Sequence, residues 1–310
     1  MKINGKRIFI SGGSGYLGKN LIRRYYSENE ITVYSRDEAK HYYLKKEFPK
    51  VRCIIGDVRN FDLLKRSSIK HDIGIFAASM KQIEAVDQNY EEGIQTIIHG
   101  AINSRRVAEE NEMEAACFIS SDKSRAATTL YGSMKFVGGE LFIVNSDKSI
   151  PKLSSAIYGN VLNSTGSVIP LIWDAIKKNY RLTLYSKEMT RFMITVDQAI
   201  DLIECSLDLS GFNVIPNIRS FKILDLFEIY RDSYGLKFDI GNPRISEKIH
   251  EMMFSSEESP RVRMHAGNYI MHYKDVYGED LPFKEFTSDK VLIEKNELNS
   301  ILKIHNYFMP

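Results

Sequence analysis

The chain has 310 residues, with 43% hydrophobic and 26% charged, which suits one large α/β domain or a nucleotide domain with a smaller annex. Net charge is +2 and the basic residues are spread out, so binding of nucleic acid by bulk charge is not expected. No run approaches the roughly 18 apolar residues of a membrane span, and the apolar start is too short for a signal peptide. Cys53, Cys117 and Cys205 stand far apart without a CxxC pair, so neither a metal site nor a disulfide framework is expected, and a reduced, cytoplasmic setting is.

Lys6 to Ser11 reads as a buried strand. Gly12-Gly13-Ser14-Gly15-Tyr16-Leu17-Gly18 follows, then an amphipathic helix from Lys19 to Ser27. Strand, glycine turn and helix form the context a dinucleotide fingerprint needs. Gly12 permits the tight turn, Gly15 lets backbone approach a pyrophosphate, and Gly18 lets helix and strand pack closely. Phosphates would face the helix N-terminus. The spacing is GxxGxxG, as in short-chain dehydrogenases/reductases. A second strand, Ile31 to Tyr34, leads to Ser35-Arg36-Asp37. A small hydroxyl followed by Arg suits a 2′-phosphate, which favours NADP, while Asp37 could serve NAD.

A third strand, Val51 to Ile55, delivers Asp57 and Val58, where a carboxylate can accept from an adenine amino group or cap the strand end. Ile73 to Ala78 is the fourth strand, and Ala77-Ala78 leaves room for a cofactor. A long helix is expected over Tyr90 to Asn111. Ala115 to Ile119 is the fifth strand; it delivers Ser121-Asp122-Lys123 at the sheet edge where open α/β folds bind ligands. Tyr131 and Lys135 then lie one helical turn apart. An ammonium beside a phenol favours the phenolate, so Lys135 is expected to lower the Tyr131 pKa. Ser121 could share a substrate oxygen, giving the Ser/Tyr/Lys set that moves a proton while a nicotinamide moves a hydride.

Further on, Leu153 to Tyr158 is a strand ending in Gly159-Asn160-Val161. Gly166 to Pro170 opens a helix toward Lys177. Met189-Thr190-Arg191-Phe192 leads into a strand and a helix over Val196 to Leu207, and Ile223 to Tyr234 is an amphipathic helix. Arg191 and Arg244 are candidates for a diphosphate, since a guanidinium fits phosphate oxygens. Tyr and Phe recur after about residue 270, where annex packing or a subunit contact is expected.

The ordered motifs GGSGYLG, SRDEAK, GDVRN, AASMKQ, SSDKS, YGSMK, YGNV with GSVIP, MTRF and PRISEKIHEMM resemble the UDP-N-acetylglucosamine 4,6-dehydratases, C5-inverting branch. These are extended short-chain dehydrogenases/reductases. Asp122-Lys123 carries most of the likeness, because ordinary hexose 4,6-dehydratases have Asp-Glu there. The resemblance implies that Tyr131 takes the sugar 4-hydroxyl proton as hydride goes to NADP, that Ser121 holds O4 and that Lys135 holds the cofactor ribose. It further implies Lys123 as the base at C5, with burial lowering its pKa, Asp122 as the acid at C6, and return of hydride to C6. Lys81 and Asn160 would meet the substrate, Arg191 and Arg244 its diphosphate and Glu247 a ribose hydroxyl. Relatives form dimers to hexamers, so a homo-oligomer is implied.

Four departures concern this pocket: Ile157 for Arg, residues 125–129 for an Asn-Pro segment, Ile97 for Asn and Ser246 for Gly. They leave the sugar, the nucleotide (UDP, GDP or CDP) and the C5 outcome open. The expected architecture is a Rossmann-type doubly wound parallel sheet with a C-terminal substrate annex. Residues 1–155 bind NADP, segments near 156–162 and 190–210 return to that domain, and 163–310 mainly form the annex. The rivals are a nucleotide-sugar 4-epimerase, which needs no elimination pair, and a dinucleotide-binding regulator, which needs no proton-transfer set.

Overall fold

The computed structural model describes residues 3–146, 150–243 and 245–308. Nine strands share the main sheet: β1 (Arg7–Ser11), β2 (Glu30–Ser35), β3 (Arg52–Ile55), β4 (Ile73–Phe76), β5 (Ala115–Ile119), β6 (Lys152–Ala156), β7 (Phe212–Ile215), β8 (Val262–His265) and β9 (Asn268–His272). Their order is β8-β9-β7-β6-β5-β4-β1-β2-β3. β1 to β7 run parallel, while β9 pairs antiparallel with β7 and with β8. The chain reverses direction across the sheet between β1 and β4, and a crevice opens there.

Alternation along the strands builds two cores. Ile8, Ile10, Ile75, Cys117 and Ile119 face one side; Phe9, Tyr34, Phe76, Ala116 and Phe118 face the other. Both faces are covered, so these strands read as unbroken apolar runs. Helices α1 (Tyr16–Tyr25), α2 (Glu38–Glu47), α3 (Phe61–Ser67), α4 (Gly100–Glu110), α5 (Leu130–Ile143), α6 (Val168–Lys178), α7 (Val196–Ser206), α8 (Ile223–Tyr234) and α9 (Lys295–Ile304) complete the main elements. Leu21 and Ile22 of α1 and Ile200 and Ile203 of α7 join the first core. Leu64 of α3, Val107 and Ala108 of α4, and Phe142 of α5 join the second. A separate cluster around Ile172, Phe221, Phe227, Tyr230, Leu298 and Leu302 forms the annex core.

Two features differ from the sequence reading. The long helix expected over Tyr90 to Asn111 is divided: a short helix Tyr90–Gly93 and a π-helical stretch Ile94–His99 precede α4. Such π segments are frequent at functional sites. The sheet also takes in more of the C-terminal half than the segments expected to return to it. β7, β8 and β9 belong to it, and Met253, Phe254, Tyr269 and Phe286 pack into its core. The late aromatics therefore divide, with Phe286 in the main core and Tyr307 in the annex. No helix among the described residues is long and apolar enough to cross a membrane.

The glycine turn sets how closely α1 approaches β1. Gly12 has φ +72°, and a Cβ there would lie 2.8 Å from Ala78 N; a Cβ on Gly18 would lie 2.3 Å from Gly13 O. The obstruction at Gly18 is backbone, so a side chain forces the helix away from the strand. Gly18→Ala should lower stability by about 1–3 kcal/mol, read as a fall in the denaturant midpoint. An unchanged midpoint would show that this contact is not tight.

Candidate active site

A cleft of about 890 Å³ opens at the C-terminal ends of β1, β2, β4 and β5. Gly12, Gly15, Tyr16, Leu17, Gly18, Ser35, Arg36, Asp57, Val58, Ala77 and Ala78 all line it, as do Lys81, Ser121, Asp122, Lys123, Tyr131, Lys135 and Asn160. At the β2 end, Ser35 Oγ donates to Ser14 Oγ at 2.9 Å and meets His41 Nε2 at 2.5 Å. Asp37 is occupied as the cap of α2, accepting from Lys40 N at 3.0 Å and pairing with Lys40 Nζ at 2.9 Å. Arg36 is largely exposed, 3.6 Å from Asp57 Oδ2. Asp57 accepts from Arg59 N at 3.0 Å and from Arg59 Nη2 at 2.7 Å. Thr96, in the π segment, also lines the cleft, and its buried Oγ1 has no hydrogen-bond partner among the described residues.

β5 hands the chain to a short 3-10 turn, Asp122–Ser124. Ser121 caps it: its Oγ accepts from Lys123 N at 3.3 Å and donates to Asp122 Oδ1 at 2.9 Å. Asp122 is fully buried, and its Oδ2 makes no hydrogen bond among the described residues. Thr129 then starts α5 by accepting from Gly132 N at 3.1 Å, which sets Tyr131 and Lys135 on the buried side. Lys135 Nζ donates to Ile119 O at 2.9 Å, so the helix is stapled to the end of β5.

The second half closes around this turn. Asn160 starts a two-residue strand paired parallel with Met193-Ile194, and its Oδ1 is buried without a partner among the described residues. Lys81 Nζ donates to Thr165 O, linking the loop after β4 to the loop before α6. Arg191 is not on the cleft wall. It bonds Thr190 O at 2.7 Å and Ile249 O at 3.3 Å, and pairs with Glu247 at 3.2 Å and Glu251 at 3.5 Å. Arg244 lies outside the described residues. Glu251, which the sequence reading held only as part of the PRISEKIHEMM motif, sits 3.2 Å from Lys123 Nζ. A carboxylate heading an apolar run before a strand was the available signal.

Residues 8–273 match the family described as polysaccharide biosynthesis protein. The UDP-N-acetylglucosamine 4,6-dehydratase (inverting) of Campylobacter jejuni is 33% identical over 267 residues, 83% of this chain and 79% of that protein. The chain belongs to this family of polysaccharide biosynthesis proteins. A UDP-glucose 4-epimerase of Rickettsia massiliae is 30% identical over 268 residues, 82% of this chain and 79% of that one. The solved structure described as Pen from Bacillus thuringiensis superposes with TM-score 0.88 at 25% identity, covering 99% of this chain and all of its own. The resemblance to the 4,6-dehydratases and the Rossmann-type sheet, both read from the motifs, are thus shown, and the chain is a nucleotide-sugar-modifying enzyme of the extended short-chain dehydrogenase/reductase type.

Charge around the Asp122–Ser124 turn departs from the sequence reading in two places. Burial alone would lower the Lys123 pKa, as expected, but Asp122 and Glu251 together outweigh it, and the net shift is upward. Lys123 therefore rests as an ammonium. Tyr131 is likewise not lowered: burial raises it, and the opposing pulls come from Lys123 and the Ser121 hydroxyl rather than from Lys135. Asp122 is raised by burial, with Glu251 adding to it against Lys123, so it holds its proton more tightly than an ordinary carboxyl. Burial lowers Lys135 to about 8.

That last shift has a sign that can be checked. Between about pH 8 and the ordinary lysine value of 10.5, the unfolded chain binds a proton at Lys135 that the folded chain does not. Stability from this group therefore rises with pH across that window, by up to roughly 3 kcal/mol, and is lacking below it. Lys135→Met should flatten the rise in denaturation curves taken from pH 7.5 to 10. An identical rise in the variant would show that Lys135 is not its source.

Proposed function

We propose that this chain catalyses NADP-dependent 4,6-dehydration of a nucleotide-linked N-acetylhexosamine, with UDP-N-acetylglucosamine as the substrate to test first, for surface polysaccharide or glycan sugar biosynthesis. The observation that carries this reading is the pair of a buried Asp122 and a half-buried Lys123, hydrogen-bonded to Ser121 in the same cleft as Tyr131. Oxidation at C4 needs one proton acceptor; elimination across C5 and C6 needs a second acceptor and a donor. Asp122, raised by burial, has an Oδ2 without a hydrogen bond among the described residues, and its neighbour Lys123 supplies the amine.

The cleft fits the cofactor. The glycine turn forms a cradle at a helix N-terminus, where a Cβ on Gly15 would come 3.2 Å from Gly12 O. Ser14, Ser35, Arg36 and Lys40 gather two hydroxyls and two cations at the β2 end, a donor set for a 2′-phosphate. When bound, the nicotinamide supplies reversible hydride acceptance, first from C4 and later back to C6. Tyr131 takes the O4 proton, Ser121 holds O4, and Lys135 orients the ribose. Lys123 removes the C5 proton once it has shed its own, and Asp122 protonates the departing C6 hydroxyl. Lys81 and Asn160 face the sugar and phosphate side; Arg191, Arg244 and Glu247 remain proposed for the diphosphate and ribose. A homo-oligomer in the cytoplasm is part of the same reading.

The likeness to UDP-glucose 4-epimerase favours a second reading, in which hydride returns to C4 and Asp122-Lys123 has no proton to move. Incubation with UDP-N-acetylglucosamine in deuterated water separates the two. Dehydration gives loss of water with deuterium at C5, and the C5 couplings report inversion or retention; turnover confined to a GDP or CDP sugar keeps the chemistry and changes the substrate. An unchanged mass with mixed C4 epimers replaces the dehydratase by the epimerase. NADP binding without any turnover would sink both. Tyr131→Phe should cut turnover by about 10²–10⁴-fold while NADP still binds, and Arg36→Ala should weaken NADP far more than NAD. Equal effects on both cofactors would count against the 2′-phosphate assignment.

A further inference from the structure

Glu251 stands at the head of the strand Met252–Phe254, with its backbone N–H donating to Ser288 Oγ at 2.9 Å. It is 2% exposed. Three cations meet it: Lys123 Nζ at 3.2 Å and Arg191 Nε at 3.5 Å from Oε1, and Lys248 Nζ at 3.8 Å from Oε2. Arg191 is also held by Glu247 and by the carbonyls of Thr190 and Ile249, and Lys248 donates to Arg125 O. Lys123 alone of the three stands between two buried carboxylates, 3.2 Å from Asp122 Oδ1 and 3.2 Å from Glu251 Oε1. Glu251 Oε2 makes no hydrogen bond among the described residues.

We propose that Glu251 is a positioning residue for the elimination: it holds the Lys123 side chain opposite Asp122, so that the two can exchange a proton and Lys123 reaches the C5 proton. The proposal rests on the dehydratase reading. Transfer of one proton from the Lys123 ammonium to the Asp122 carboxylate, 3.2 Å away, leaves an amine and a neutral acid, with the proton count unchanged. The amine then takes the C5 proton. The electrons of that C–H bond become the C5–C6 double bond, and the C6–O pair leaves with its oxygen. Asp122 gives its proton to that oxygen, which departs as water. The set has gained one proton and given one. Such groups titrate together, so the property belongs to the cluster. Facing Lys123 are Asp122, Tyr131, Arg191 and Glu251; Lys248 and Glu247 stand behind them.

The test has one arm that needs no substrate. Lys123 is 25% exposed, so a small acylating reagent reaches it. Its acetylation rate, followed by mass spectrometry against pH, should rise only at high pH in the native chain. In Glu251→Gln the rise should move down by about 1–3 pH units; no movement overturns the proposal. In the second arm, with UDP-N-acetylglucosamine in deuterated water, Glu251→Gln should lose C5 exchange about a hundredfold relative to C4 oxidation, because Lys123 is no longer held opposite Asp122. Equal loss in both steps, or a change in KM alone, indicates a structural role and overturns it. Should Glu251→Gln fail to fold, Glu251→Asp keeps the anion with a shorter reach. Its acetylation profile should stay near native while C5 exchange falls, and undiminished exchange overturns the proposal. A native chain that dehydrates nothing defeats the dehydratase reading, whereas native dehydration with an unmoved Lys123 profile defeats only the role of Glu251.

Discussion

A lysine ammonium held between two buried carboxylates ties the two halves of this protein together. Asp122 and Lys123 come from the turn after β5, while Arg191, Glu247, Lys248 and Glu251 come from the C-terminal half. Buried charges are costly unless paired, and removing one member of such a set typically costs about 3–5 kcal/mol. A second buried ionic contact reinforces the first. Arg125, 2% exposed, bridges Glu140 of α5 and Glu258, while its carbonyl accepts from Lys248. The turn that carries Asp122 and Lys123 is thereby fixed to the sheet by β5, to α5 by Lys135 and Arg125, and to the C-terminal segment by Glu251.

The same pairing decides which groups carry protons. The sequence pattern invites a reading in which Lys135 makes Tyr131 acidic and burial makes Lys123 basic. Distance reverses both. Lys135 is spent on the Ile119 carbonyl, and the cation that acts on the phenol is Lys123. Lys123 in turn is held protonated by two carboxylates, one of them 128 positions further along the chain. Burial acts on every member of the cluster, but the Coulomb contribution from a partner at 3.2 Å grows as the local dielectric falls, so at Lys123, with two such partners, the neighbours outweigh burial.

What was legible in the sequence was local. β5 and α8 lie where the apolar spacing placed them, and the glycine turn, Ser35-Arg36, Asp57 and Ala77-Ala78 fall in one cleft because each follows a parallel strand at the same sheet edge. What was not legible depends on distant pairing. β8 and β9 join the sheet through an antiparallel hairpin whose strands read like any short apolar segment. The π segment carries no pattern separate from the helix around it. Arg191 reads as a phosphate ligand until the fold turns it onto Glu247 and Glu251. Ser14 and His41 gather around Ser35 only once the glycine turn and α2 meet at the end of β2.

Asp-Lys at this turn, which the motif resemblance sets apart from the Asp-Glu of ordinary hexose 4,6-dehydratases, changes the charge of the site by two units. A carboxylate beside Asp122 would give two acids that share protons through repulsion; an ammonium gives an ion pair that would hold Asp122 ionised and lock both groups. A second carboxylate resolves this. Glu251 takes part of the lysine's field and raises Asp122 by repulsion, so that on the proposed reading Asp122 can receive the proton that Lys123 sheds. On this argument the lysine and the distant glutamate form one unit: the substitution at the turn is workable only in a fold that brings Met252–Phe254, and the residue before it, to the end of β5.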